Sequence, residues 1–221
     1  MFSKLNASSH KNNPQIYNEE FINLLSKIVL CYKLLLSDKV QLENDENKIR
    51  DVLLINYLNN NAVRKKVRLN NFIFNREVPE DNSAGRTDIK IQTFNSFVET
   101  DAYYIIECKR LDNVNLKGVS GLNAEYVKEG IIRFVTGYYS CYYKVNGMIG
   151  FIVKQLDINA NHSDINYIIK HHYPHSNTKQ YLQKENCINN FDFLYSSIHS
   201  FGSTNEIKLY HLMLDFSKNI A

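Results

Sequence analysis

The sequence predicts an α/β (α+β) domain: a mixed central β-sheet flanked by helices, preceded by an N-terminal helix and followed by extra C-terminal strands. Three observations carry that reading. Short alternating runs at 72–78, 86–93 and 102–111 are separated by turn residues, which predicts strands joined in an antiparallel meander. Apolar stripes at helical spacing occupy 17–36 and 123–138. A nearly wholly apolar run, GMIGFIV at 147–153, follows the second stripe, as expected of a buried strand reached by a helical crossover.

At 221 residues, with 44% hydrophobic and 22% charged residues, the chain suits one soluble domain with a sizeable core. A formal charge of +3 neither demands nucleic acid nor argues against it, because local patches decide binding. Cys31, Cys108, Cys141 and Cys187 form no C-x-x-C pair, so no zinc knuckle or redox motif is visible, and buried thiols in a reducing cytoplasm are expected. The polar start, MFSKLNASSHKNNPQ, and the lack of any apolar run near 20 residues predict neither signal peptide nor membrane span.

Residues 1–15 are rich in Ser, Asn and Lys and are expected to be loosely packed. In 17–36, Phe21, Leu24, Leu25, Ile28, Val29, Tyr32, Leu35 and Leu36 make one helical face. A second helix is expected over 44–59, with Asn44 or Asp45 as N-cap and Glu46, Ile49, Arg50, Leu53 and Tyr57 on a shared stripe. Glu46 therefore faces inward or towards a cleft, or else is simply a first-turn acid favoured by the helix dipole. The basic cluster at 61–76 ordinarily means a solvated face. A Pro, Asp, Asn, Ser and Gly turn at 79–85 leads into the 86–93 strand.

In the third helix, Val127, Ile131, Phe134 and Tyr138 form the buried stripe, while Tyr126, Gly130, Arg133 and Gly137 line an adjacent face. Further on, Ser163 is expected to cap a helix ending near His172, KHHYPHSNTK reads as a loop, and strands are expected at 191–199 and 206–216. No repeat or linker divides 1–221, so one domain is expected, with its core in 44–155 and an extension over 156–221.

The chemistry concentrates in 84–111, AGRTDIKIQTFNSFVETDAYYIIECKRL. Alternation places Glu107 and Lys109 on one face of a strand, with Ile106 and Cys108 on the other. Two charges in an apolar strand cost several kcal/mol if buried without partners. An edge-strand ion pair is one solution. The other is a divalent cation between Glu107 and Asp88 of the preceding strand, with Lys109 beside it.

A helix bearing Glu46, a meander with Asp88 on its second strand and Glu107-x-Lys109 on its third, then a helix and another strand resembles the PD-(D/E)xK nuclease superfamily, the restriction-endonuclease-like fold. The motifs are ENDENKIRDVLLINYL, GRTDI and YYIIECKRL, and YVKEGIIRFVTGYYS is similar to the helix that follows them in restriction-type and phage-defence members. Thr87 stands where the family often has Pro.

The resemblance implies a Mg²⁺-dependent endodeoxyribonuclease, with Mn²⁺ as substitute, acting on double-stranded DNA in a bacterial restriction or phage-defence system. It implies a cytoplasmic location, and a homodimer or a defence-system partner. Asp88, Glu107 and the Cys108 carbonyl would hold the metal, Lys109 would orient or help deprotonate the attacking water through a lowered pKa, and Glu46 would hold a second metal or a metal-bound water. Arg64, Lys65, Lys66, Arg68, Arg86, Tyr126 and Arg133 are the candidates for nucleic-acid contact, with Arg133 as a surface ion-pair partner equally open.

His171, His172 and His175 are either a metal cluster or, the duller reading, a polar loop. His199 and His211 are expected to be satisfied strand histidines. A non-catalytic binding or assembly subunit with this fold, and a nuclease acting on RNA or branched DNA, are the alternatives in function.

Overall fold

The computed structural model describes residues 14–79, 86–139, 141–202 and 205–221. The expected 79–85 turn therefore lies almost wholly outside the described residues, as does nearly all of 1–15.

Seven strands form one mixed sheet: β1 (Ile73–Pro79), β2 (Arg86–Gln92), β3 (Tyr103–Leu111), β4 (Val145–Ile152), β5 (Thr178–Glu185), β6 (Leu194–Phe201) and β7 (Asn205–Asp215). Their order is β1-β2-β3-β4-β7-β6-β5. β1, β2 and β3 make the expected antiparallel meander. β4 runs parallel to both β3 and β7, while β6 returns antiparallel between β7 and β5. Every residue of β4 is buried, which is why its sequence is apolar on both alternating positions.

The sheet separates two helical layers. α1 (Pro14–Ser37) buries Phe21, Leu24, Leu25, Ile28 and Leu35 against the face carrying Ile89, Ile91, Tyr104, Ile106 and Cys108. The same layer holds α2 (Glu46–Leu53), its π-helical continuation Leu54–Leu58, and α3 (Asn61–Val67). Asp45 is the N-cap of α2, its carboxylate accepting from the Lys48 amide at 3.0 Å.

The other face carries α4 (Leu122–Tyr126), a π-helical turn at Val127–Ile131, α5 (Ile132–Val135) and α6 (Ile158–His171). The helix expected at 123–138 thus stops early. Gly137, at φ +74°, turns the chain, and the Tyr138 amide returns to the Arg133 carbonyl at 3.2 Å in a Schellman-type stop. That turn buries Tyr139 more deeply than the expected Tyr138.

Two C-terminal expectations are corrected. Asp157, not Ser163, caps α6, its side chain accepting from the Ala160 amide, so Ser163 lies inside the helix. Part of the expected KHHYPHSNTK loop opens β5, an edge strand in which Leu182 alone is fully buried; with so little apolar surface it left no alternation to read. No helix among the described residues is long and apolar enough to cross a membrane.

Candidate active site

Strand parity does what the sequence requires of β3. Tyr103, Ile105 and Leu111 join the core under α4 and α6, and Glu107 and Lys109, in the same phase, project toward that layer. Tyr104, Ile106 and Cys108 join the core under α1. The β2–β3 ladder ends at the pair Ile89 and Ile106, so Asp88 and Glu107 stand one step beyond it on adjacent strands. There the Cys108 amide donates to Asp88 Oδ2 at 2.8 Å.

Glu107 is 1% exposed and fully engaged. Its Oε1 lies 2.9 Å from Arg133 Nη1 and 3.0 Å from Lys109 Nζ, and its Oε2 accepts from the Tyr139 hydroxyl at 2.5 Å. Burial, with the nearby Asp88 charge, pushes the Glu107 carboxyl up to about 7, against the opposing influence of Lys109, Tyr139 and Arg133. Gly130 lets the π-helical turn approach closely: a Cβ there would lie 2.3 Å from Met148 Cε and 3.6 Å from Lys109 Cγ.

Lys109 Nζ donates to Glu46 Oε1 at 2.9 Å and to the Cys108 carbonyl at 2.8 Å, besides its ion pair with Glu107. Glu46, at the first position of α2, also accepts from the Arg110 amide at 3.1 Å. Burial opposes the charge on Lys109, but Glu107, Glu46 and Asp88 outweigh it and raise its pKa above the ordinary lysine value. This corrects the expected lowering: Lys109 is a held cation in this arrangement, suited to orienting an oxygen rather than taking a proton from it.

Arg50, 2% exposed, anchors the other carboxylate. It donates to Asp88 Oδ1 at 3.0 Å, to Asp51 Oδ1 through Nε and Nη2, to Glu77 Oε1 at 2.9 Å and to Asn47 Oδ1 at 3.0 Å. Arg50 and Tyr139 are the site residues that sequence reasoning missed. A signal existed for Arg50, since it sits beside Ile49 and Leu53 on the inward stripe of α2. Tyr139 had none, because its placement depends on the Gly137 turn.

The expected nucleic-acid contacts divide. Arg133 reaches the site through Glu107, and its other nitrogen lies 3.3 Å from Glu129. Arg86 is exposed and lies 4.0 Å from Glu77. Lys65, Lys66 and Arg68 are exposed on and just after α3, in the same layer as α2. Arg64 is corrected to a structural role, its guanidinium donating to the carbonyls of Leu58, Leu69 and Phe72. Tyr126 is also corrected: it is fully buried, and its hydroxyl pairs with His211 Nδ1 at 2.9 Å.

The histidines do not form a metal cluster. His171 packs on Tyr167, His172 Nε2 pairs with the Lys117 carbonyl, and His175 lies against Tyr173. His211 and His199 are buried and satisfied instead. From Tyr126 the contacts run through His211 to Ser197 Oγ at 2.7 Å, on to His199 Nε2 at 2.8 Å, and from His199 Nδ1 to the Ser176 carbonyl and Thr178 Oγ1.

Among the described residues, no group of three or more Asp, Glu, His and Cys side chains is arranged to hold a metal ion. The oxygens that do converge are two carboxylates and one main-chain carbonyl, those of Glu46, Glu107 and Cys108, all within 3.0 Å of Lys109 Nζ. This all-oxygen donor set suits Mg²⁺, which takes one or two carboxylates and keeps several waters.

Tyr139→Phe tests the tightness of the cluster. Loss of a hydroxyl donating to a buried carboxylate is expected to cost about 2 kcal/mol. In a chain of this size, that lowers the melting temperature by roughly 4–8 °C in a calorimetric scan. A shift within a degree would show that Glu107 does not depend on Tyr139.

No family model, curated protein or solved structure matches the chain.

Proposed function

We propose that the protein is a metal-dependent nuclease with a restriction-endonuclease-like core, hydrolysing phosphodiester bonds of double-stranded DNA in a bacterial restriction or phage-defence setting. The observation that carries this reading is the meeting of Glu46, Glu107, Lys109 and the Cys108 carbonyl, with Asp88 bonded to the Cys108 amide, at one end of β3. The run of a helix, three antiparallel strands, a helical crossover and a parallel fourth strand, adjacent as β1-β2-β3-β4, supports it.

Glu46, Glu107 and the Cys108 carbonyl, the oxygens that converge, would hold Mg²⁺, with Asp88 fixing the Cys108 peptide beside them rather than completing a three-carboxylate set. When bound, the ion supplies charge neutralisation at the phosphoryl oxygens and a more acidic water. Lys109 donates hydrogen bonds and, as a charged ammonium, orients the attacking oxygen and stabilises negative charge developing on the phosphate. Arg50 fixes one oxygen of Asp88, and Tyr139 and Arg133 fix Glu107, so that the carboxylates are aimed before substrate arrives.

Plasmid DNA incubated with purified protein and Mg²⁺ or Mn²⁺ tests the reading. Cleavage is expected, with Asp88→Asn and Lys109→Met each slowing it about 100-fold or more. Cleavage that survives EDTA, or survives both substitutions, would refute it, and a panel including RNA and branched DNA identifies the substrate.

One observation favours a second reading, a non-catalytic nucleic-acid-binding or assembly subunit. All six carboxylate oxygens of Glu46, Asp88 and Glu107 already have a protein donor. Such a subunit would bind DNA in a salt-sensitive manner, without turnover.

A further inference from the structure

We infer that Lys109 is an internal counter-ion occupying the oxygen cradle, so that a divalent ion enters the site only by displacing it. This inference rests on the proposed nuclease reading and adds to it a control on metal entry. An ammonium has three N–H donors, and Lys109 directs its nitrogen at three oxygens from separate sources: Glu46 Oε1 of α2 at 2.9 Å, Glu107 Oε1 of β3 at 3.0 Å and the Cys108 carbonyl at 2.8 Å.

These are hard oxygen donors, the kind Mg²⁺ and Mn²⁺ take at roughly 2.1 Å. An ammonium and a divalent ion cannot share the same three oxygens, because at such separations in a buried site their repulsion is large. Lys109 is buried at 7% exposure, and its ammonium donates to the Cys108 carbonyl in a buried hydrogen bond. Beside its stem stands Gly130, whose missing side chain makes room for Met148: a Cβ there would lie 2.3 Å from Met148 Cε and at an ordinary contact distance of 3.6 Å from Lys109 Cγ.

Two consequences follow. Without metal, the acidic residues of the site are neutralised from within the chain, so the fold does not depend on an ion for its charge balance. A polyanionic substrate phosphate placed at the cradle mouth attracts the ammonium outward, so metal and DNA help each other to bind.

Titration calorimetry with Mn²⁺ tests this on wild type, Lys109→Met and the double variant Lys109→Met/Glu107→Gln. Lys109→Met is expected to bind Mn²⁺ roughly 10-fold more tightly than wild type while losing cleavage, and the double variant to lose the gain. Equal or weaker binding by Lys109→Met, in a protein whose wild type cleaves DNA, overturns the displacement and leaves the nuclease reading standing. Absence of Mn²⁺ binding in both, with no cleavage by wild type, overturns the nuclease reading and the inference with it.

A second measurement needs no variant. Acylation of Lys109 in the wild-type protein, mapped by peptide mass, is expected to accelerate several-fold when Mn²⁺ saturates the site. An unchanged rate at saturation overturns the inference.

Discussion

Replacing Arg50 with methionine is expected to cost the fold about 3 kcal/mol, the lower end of what removing one partner from a buried charge network costs. The reason lies in what is left behind. Asp88, Asp51 and Glu77 all direct oxygens at the guanidinium, and methionine fills the space without answering any of them. The left-behind carboxylates are partly exposed and recover some hydration, which places the estimate at the lower end. A urea titration should show the midpoint falling with an unchanged slope, since the substitution removes stability rather than buried area. Arg50→Lys should recover only part of the loss, because an ammonium cannot reproduce the planar fork that serves four side chains at once. Wild-type stability in Arg50→Met would show that Asp88 is held by the Cys108 amide alone.

The second large effect is a pair of opposed titrations. Burial pushes His199 down to about 4 from an ordinary 6.5, and His211, fully buried beside it, is also held well below that value. Between pH 6.5 and 4 the unfolded chain takes up a proton at His199 that the folded one refuses, so this contribution, present above pH 6.5, is lost on acidification and amounts to about 3 kcal/mol. Glu107 works the other way. Its folded value of about 7 exceeds an ordinary 4.5, so the folded chain gains stability relative to the unfolded one as pH falls through that window.

The two windows nearly coincide. Between pH 7 and 4.5 the contributions of His199 and Glu107 therefore offset one another, leaving wild type the loss on acidification that His211 brings, while each substitution exposes the group that remains. Denaturant midpoints at both pH values are expected to show Glu107→Gln losing about 3 kcal/mol more than wild type on acidification, and His199→Gln losing about 3 kcal/mol less than wild type. Parallel behaviour of the two variants would refute the assignment.

Much of this arrangement is legible in the residues, and the gaps have physical causes. The meander and the shared face of Glu107 and Lys109 follow from alternation, and β4 from its unbroken apolar run, the mark of a strand buried on both faces. Glu46 could be placed because Asp45 marks the helix start by its capping chemistry. β5 escaped because an edge strand packs too little apolar surface to show a period. Tyr126 was misassigned because a tyrosine on a helix face adjacent to the core can point either way, and only His211, 85 residues later, supplies the buried partner that decides it. The direction of the Lys109 shift depends on how many carboxylates surround it, a property of three separate elements that no local pattern records.

The position of β7 in the sheet sets a schedule for folding. β4 pairs with β3 on one side and with β7 on the other, so the most deeply buried strand has one open hydrogen-bonding edge until 205–215 has been synthesised. A nascent chain that has emerged only through β6 therefore carries an apolar, unpaired ladder beside β3, a form prone to aggregation. Because the pairing joins strands about 60 residues apart in parallel register, its loop-closure cost falls late, and completion of the core is expected to be slow and highly cooperative. The cradle at the end of β3 thus acquires its final rigidity only when the last strand has docked, and a chain truncated before β7 cannot assemble it.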